Sequence, residues 1–238
     1  MNDNLILVSG ETATGKSYCL RNLDDPTGVM YLNCESNKKL PFKSSFQEFN
    51  IIDPWQVHEA MAHAETMPDV HTIVVDSLTY LMDQFESQYV LPATNTMTAW
   101  GEFAQFFKVM MQQHVANSTK NVIFLAHTLS TLNEQKMEME TKVPVKGALK
   151  NNGIESYFST VISTKTMTNA SLEKYSSDLL TYTEDEKELG MKYVFQTRLT
   201  KQTLNEKIRS PGLMWSKDEI YIDNDLQNVI QKLHDFYK

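Results

Sequence analysis

Gly10-Glu11-Thr12-Ala13-Thr14-Gly15-Lys16-Ser17 is a complete G-x-x-x-x-G-K-[ST] phosphate loop, and its flanks decide how the chain folds. The run Leu5-Ile6-Leu7-Val8 before it is short and wholly apolar, as a buried strand must be, and Lys16 to Leu23 reads as the start of a helix. Strand, glycine loop and helix in that order are the context in which the motif binds phosphate. Gly10 and Gly15 are expected to let backbone N–H groups turn inward as an anion cradle, with the positive end of the helix behind them. Residues Gly10 through Tyr18, including Glu11, Thr12, Ala13, Thr14 and Gly15, then surround a nucleoside triphosphate. Lys16 is placed to reach the β- and γ-phosphates, and the Ser17 hydroxyl to hold Mg²⁺.

Composition narrows the remainder. The 238 residues suffice for one substantial α/β domain, and 41% hydrophobic content supplies its core. No apolar run approaches the length of a membrane span, the first strand begins within a few residues of Met1, and two cysteines suggest no disulfide framework. The expected setting is cytoplasmic, without a membrane partner. A formal net charge of −8 argues against coating nucleic acid by bulk attraction, so any such contact must be local. Lys142, Lys146 and Lys150 form one acid-free basic stretch over 142–150. Six acids between Glu173 and Glu188 mark a solvated loop or helix face.

Beyond the phosphate loop, strands are expected at Val29–Leu32, Phe49–Ile52, Thr72–Asp76 and Asn121–His127. Helices are expected at Trp55–Thr66, behind an Asp53-Pro54 start, and at Met97–Val115. Near-continuous apolar strands alternating with helices imply a mainly parallel central sheet with helices on both faces. The last third changes character: Tyr157–Ser163, Tyr193–Leu199 and Leu204–Ile208 read as strands, Ser210-Pro211-Gly212 as a turn, and Asp225–Tyr237 as a closing helix. The expected layout is a core over residues 1–165 and a C-terminal β extension of the same domain over 166–238, with an acidic insertion near 170–190.

Asp76 ends the strand Ile73-Val74-Val75, where a carboxylate can complete the Mg²⁺ site begun by Ser17. Ser77 follows it, so the residue after the acid is no base. Glu35 ends the second strand, on the side where ligands of a parallel sheet bind, and is placed to deprotonate an attacking water.

At these residues the chain resembles the RecA-like P-loop ATPases, most closely the small phage-encoded Sak-type proteins of single-strand annealing and recombination. The resemblance is strongest at the phosphate loop and at Ile73-Val74-Val75-Asp76-Ser77. It implies ATP with Mg²⁺, Glu35 as catalytic base and His127 as the polar sensor ending the next core strand. It also implies that residues 129–146, followed by Gly147-Ala148-Leu149-Lys150, and the loop near 88–100 face single-stranded DNA, with Tyr89, Trp100 or Met137 against its bases. In related ring ATPases a Lys-x-Arg pair enters the neighbour's site, a part Lys207 and Arg209 would play here. Self-association as a ring or short filament with nucleotide between subunits follows, and a single-strand-binding protein is a further expected partner. The first strand begins near Leu5, leaving out the segment through which RecA polymerises. A P-loop kinase and an ATP-switched binding module without turnover are the alternatives, the former weakened by having only three arginines, Arg21, Arg198 and Arg209, from which to build a lid.

Overall fold

A computed structural model describes residues 2–134, 137–151 and 153–238. Among them, ten strands are found: β1 (Leu5–Gly10), β2 (Val29–Asn33), β3 (Gln47–Asn50), β4 (Thr72–Asp76), β5 (Asn121–His127), β6 (Leu129–Asn133), β7 (Glu138–Lys142), β8 (Thr160–Thr168), β9 (Met191–Gln196) and β10 (Tyr221–Asp223). Eight form one sheet in the order β10-β9-β8-β1-β5-β4-β2-β3, while β6 and β7 pair separately as a hairpin. Pairing is parallel from β8 across to β3 and antiparallel only where β9 and β10 extend the edge. The α/β, mainly parallel sheet read from the sequence is thus the observed one, and the C-terminal strands lengthen it.

Alternation along β1 shows why the fold is layered. Leu5 and Leu7 enter one buried cluster and Ile6 and Val8 the other, on opposite sides of the pleat. The first cluster is closed by α1 (Gln56–Ala64), α2 (Leu78–Phe85) and α3 (Thr96–Val109), the last continuing as a wider-wound segment to Val115. After the short helices α4 (Asn169–Leu172) and α5 (Glu184–Leu189) comes α6 (Leu226–Tyr237), whose Leu226, Val229, Ile230 and Leu233 close the second. Side chains cap these helices where the sequence offers them: Asn95 accepts from the Thr98 N–H, and Asp225 from that of Gln227.

Three expectations are corrected. The helix after the phosphate loop is a single tight turn, Ser17–Leu20. Pro26 disfavours helix at the residue before it, and Asp25 is left-handed (φ 41°), so the chain has too few residues left to continue. A turn this short adds little helix dipole to the cradle. Leu204–Ile208 is not a strand; among the described residues its β-pairing is an isolated bridge, Thr141 to Glu206, with a second just beyond it, Val161 to Arg209. Without regular pleating, Lys207 and Arg209 do not share a strand face. Finally, residues 129–146, expected as a loop facing single-stranded DNA, contain the antiparallel pair β6–β7; Gln135 and Lys136 lie outside the described residues. Only the end of the acidic stretch folds as a helix, α5, where Thr183 and Glu186 make a reciprocal capping box.

Candidate nucleotide site

The C-terminal ends of β1, β2, β4 and β5 converge on a cleft of about 410 Å³ lined by Lys16, Ser17, Tyr18, Glu35, Asp76 and His127, among others. Placing active groups at strand ends on a parallel sheet brings sequence-distant residues together.

The loop is built by two different devices. Gly15 sits at φ +89°, and Ala13 also takes a left-handed turn (φ 63°). Gly10 serves another purpose than the turn expected of it. A Cβ there would lie 2.0 Å from Thr164 Oγ1 on β8 and 2.8 Å from Thr14 Oγ1, so only glycine lets β8 approach. Thr14 and Thr164 hydroxyls meet at 2.5 Å and pin the loop to the sheet. Lys16 Nζ donates to the carbonyls of Gly10 (3.1 Å) and Glu11 (2.6 Å). Its residue is 8% exposed, and burial brings the ammonium down to about 8 despite the pull of Asp76 and Glu35.

Asp76 is buried at the end of β4, and burial raises its carboxyl above the ordinary range, against hydrogen bonds from Tyr31 and Ser17. Ser17 Oγ donates to Asp76 Oδ2 at 2.8 Å, and Tyr31 OH to the same oxygen at 2.7 Å. The register explains Tyr31: it lies opposite Val74, so it and Asp76 project to the same side. A hydroxyl and a buried carboxylate in contact are the hard-oxygen set that Mg²⁺ takes, and a cation there would relieve the burial of the charge. The donor set therefore fits the metal.

Glu35 stands across the cleft. Left-handed Ser36 (φ 53°) and Asn37 (φ 62°) fold the chain back after β2, and Asn33 Oδ1 accepts the Glu35 N–H at 3.0 Å. Its carboxylate accepts from Ser77 Oγ at 3.1 Å and Lys38 Nζ at 2.8 Å, with His127 Nε2 3.3 Å away. Burial alone would raise its pKa; the hydrogen bonds from His127, Lys38 and Ser77 outweigh this and bring it to about 2. The backbone N–H of His127 donates to Thr79 Oγ1 at 2.9 Å, joining β5 to α2.

Ser77 and Lys38 were not foreseen as parts of this cluster. Lys38 is legible afterwards as the residue three after Glu35; Ser77 needed the pairing of β2 with β4. Tyr193, from β9, also lines the cleft, and a Cβ at Gly15 would lie 3.1 Å from its ring. Arg21 faces away, donating to the Asn224 carbonyl at 2.5 Å and lying over the Tyr18 ring. Lys207 and Arg209 do not line this cleft; Lys207 pairs with Glu140 at 3.0 Å. Among the residues expected to meet bases, Tyr89 donates to Asp53 and Trp100 packs beneath Gly147, whereas Met137 is 76% exposed. Lys142 and Lys146 are paired with Glu140 and Glu86.

Among the described residues, no helix is long and apolar enough to cross a membrane. A search of curated proteins finds no match. A protein-family model for an AAA domain matches residues 2–202, from the start of the sheet through β9 and including every lining residue of the cleft. The chain therefore belongs to the AAA-domain family of P-loop ATPases.

Proposed function

We propose that the protein is an oligomeric ATPase of the recombination type, acting on single-stranded DNA in annealing or repair, as the Sak-type phage proteins it resembles are thought to do. The observation that carries this reading is the Glu35 carboxylate: it comes from the tip of β2 rather than from the residue after Asp76, which is Ser77. In the hydrolysis step Glu35 orients a water and takes its proton as the water oxygen bonds to the γ-phosphorus. The bond to the β-phosphate oxygen breaks, and ADP and phosphate leave. Lys16 leaves its loop carbonyls to meet the terminal phosphates, and His127, beside Glu35 Oε1, senses whether the γ-phosphate is present. Ser17 and Asp76 would hold Mg²⁺, which neutralises phosphate charge when bound.

Lys207 and Arg209 lie outside their own cleft, a placement that favours action on a neighbour's nucleotide. The exposed hairpin residues Leu132, Met137 and Met139 offer apolar contact to bases. A kinase reading has less support, because Arg21, the arginine nearest the loop, is held by Asn224. The test is ATP turnover with and without single-stranded DNA at low salt, with oligomer mass measured in the same samples. Turnover should rise on adding DNA; unchanged turnover with a monomeric mass overturns the proposal.

A further inference from the structure

Lys38 lines the same cleft as Lys16, Glu35 and Asp76. Its ammonium donates to Glu35 Oε2 at 2.8 Å, leaving Oε1 to Ser77 and His127. A costly turn brings the pair together. Ser36 and Asn37 are successive left-handed residues, neither of them glycine, and the Lys38 N–H closes the turn on the Glu35 carbonyl at 3.1 Å. The Asn33 side chain clamps both ends, its Oδ1 accepting the Glu35 N–H at 3.0 Å and its Nδ2 donating to the Lys38 carbonyl at 2.9 Å. Strained residues persist only where their surroundings hold them, and they gather at working sites.

The backbone and the side chain of Lys38 are treated differently. Asn33 fixes the former, whereas the latter is 67% exposed against 7% for Glu35. An ion pair with one solvated partner is cheap to open, and a flexible four-carbon stem lets the ammonium swing while its backbone stays. Lys38 is also close enough to Lys16 to oppose its charge, so two cations share one cleft. The terminal group of a triphosphate carries more negative charge than a carboxylate, and lysine meets phosphate as a point charge.

We propose that Lys38 is a γ-phosphate ligand that leaves Glu35 when a nucleoside triphosphate binds. One ion pair replaces another: the contact of Lys38 with Glu35 opens, a contact with the phosphate forms, and no proton moves. A diphosphate offers Lys38 no such partner, so Glu35 stays restrained while only ADP is bound. With the triphosphate, Lys38 screens the phosphoryl charge from the Glu35 carboxylate. It also withdraws one of the hydrogen bonds that hold this carboxylate near 2, where it is a weak base. Placing the γ-phosphate beside Glu35 rests on the reading of that residue as the base; the contact made by Lys38 is read by binding, which needs no turnover.

The test is calorimetric titration of the full chain, in Mg²⁺, with the β,γ-imido analogue of ATP and separately with ADP, for wild type, Lys38→Met and Lys38→Arg. Lys38→Met should weaken the imido analogue about tenfold and ADP less than about twofold, and Lys38→Arg should recover most of the loss. Should Lys38→Met fold poorly, Lys38→Gln takes its place. A crystal of the full chain with Mg-ADP-beryllium fluoride should place Lys38 Nζ on the fluoride group and out of hydrogen-bond reach of Glu35. Equal weakening of both nucleotides, weakening of neither, or a crystal with Lys38 still on Glu35 overturns the proposal. Turnover that survives Glu35→Gln removes the base instead, and leaves the loss confined to the triphosphate in Lys38→Met as evidence for the ligand.

Discussion

Replacing Glu35 by glutamine separates catalysis from binding more cleanly than any other change in the cleft. The amide keeps the shape and can still accept from Ser77 and His127, but it cannot take a proton and no longer pairs with Lys38. Loss of a general base lowers kcat by roughly 10²- to 10⁴-fold, about 3–5 kcal/mol of transition-state stabilisation. The same substitution has a stability cost that the structure sets. The folded carboxylate titrates near 2 against 4.5 for the unconstrained group, a favourable balance of about 3 kcal/mol for the ionised form. Lys38 is 67% exposed, so solvent screens its share and about 1–2 kcal/mol is the expected loss. That corresponds to a melting temperature lower by roughly 2–8 °C for a domain of this size. Because the folded pKa is depressed, this contribution is full above pH 4.5 and disappears as pH falls through about 2. Phosphate release from Mg-ATP measures the first effect, thermal melting the second, and a fluescent ATP analogue confirms that binding stays within a few-fold of wild type. A variant that turns over ATP within threefold of wild type, or that loses binding together with turnover, refutes the assignment of Glu35 as the base.

Asp76→Asn removes the charge that would hold Mg²⁺ beside Ser17, so the Mg²⁺ concentration for half-maximal turnover should rise by at least about tenfold, read from a metal titration of phosphate release. Gly10→Ala drives a methyl to 2.0 Å from Thr164 Oγ1 and 3.0 Å from the Thr164 carbonyl, and should destabilise by about 1–3 kcal/mol in chemical denaturation and weaken nucleotide binding; an unchanged midpoint would show that β8 yields easily. His58 is buried against Phe106, 4.9 Å from His114, and burial, with a smaller push from His114, brings its pKa to about 4. Because the imidazole is held neutral in the fold, its contribution is full above pH 6.5 and is lost as pH falls towards 4, up to about 3 kcal/mol. His58→Phe should flatten that part of a stability-against-pH curve.

Much of the nucleotide site was readable because its chemistry is local. The phosphate loop needs eight consecutive residues, and Asp76 and His127 each end a strand whose apolar run announces it. The layered sheet follows from those runs, since a strand apolar on both sides must be covered on both. Where reading failed, the deciding forces were not local. A helix after Ser17 was plausible until Asp25 and Pro26 ended it, and 204–208 had strand-like residues but no neighbour to pair with along its length. The hairpin at 129–142 has mixed, half-exposed side chains, so no periodicity marked it.

Residue order alone determined the phosphate loop between β1 and the turn after it, because the motif is backbone N–H groups, a lysine and a hydroxyl at fixed spacing. Tertiary structure alone decided what joins the local Lys38 around Glu35: Ser77 and His127 meet its carboxylate only once β2, β4 and β5 lie side by side. A carboxylate's basicity depends on distances of a few ångströms to groups far along the chain, and those distances exist only in the folded sheet.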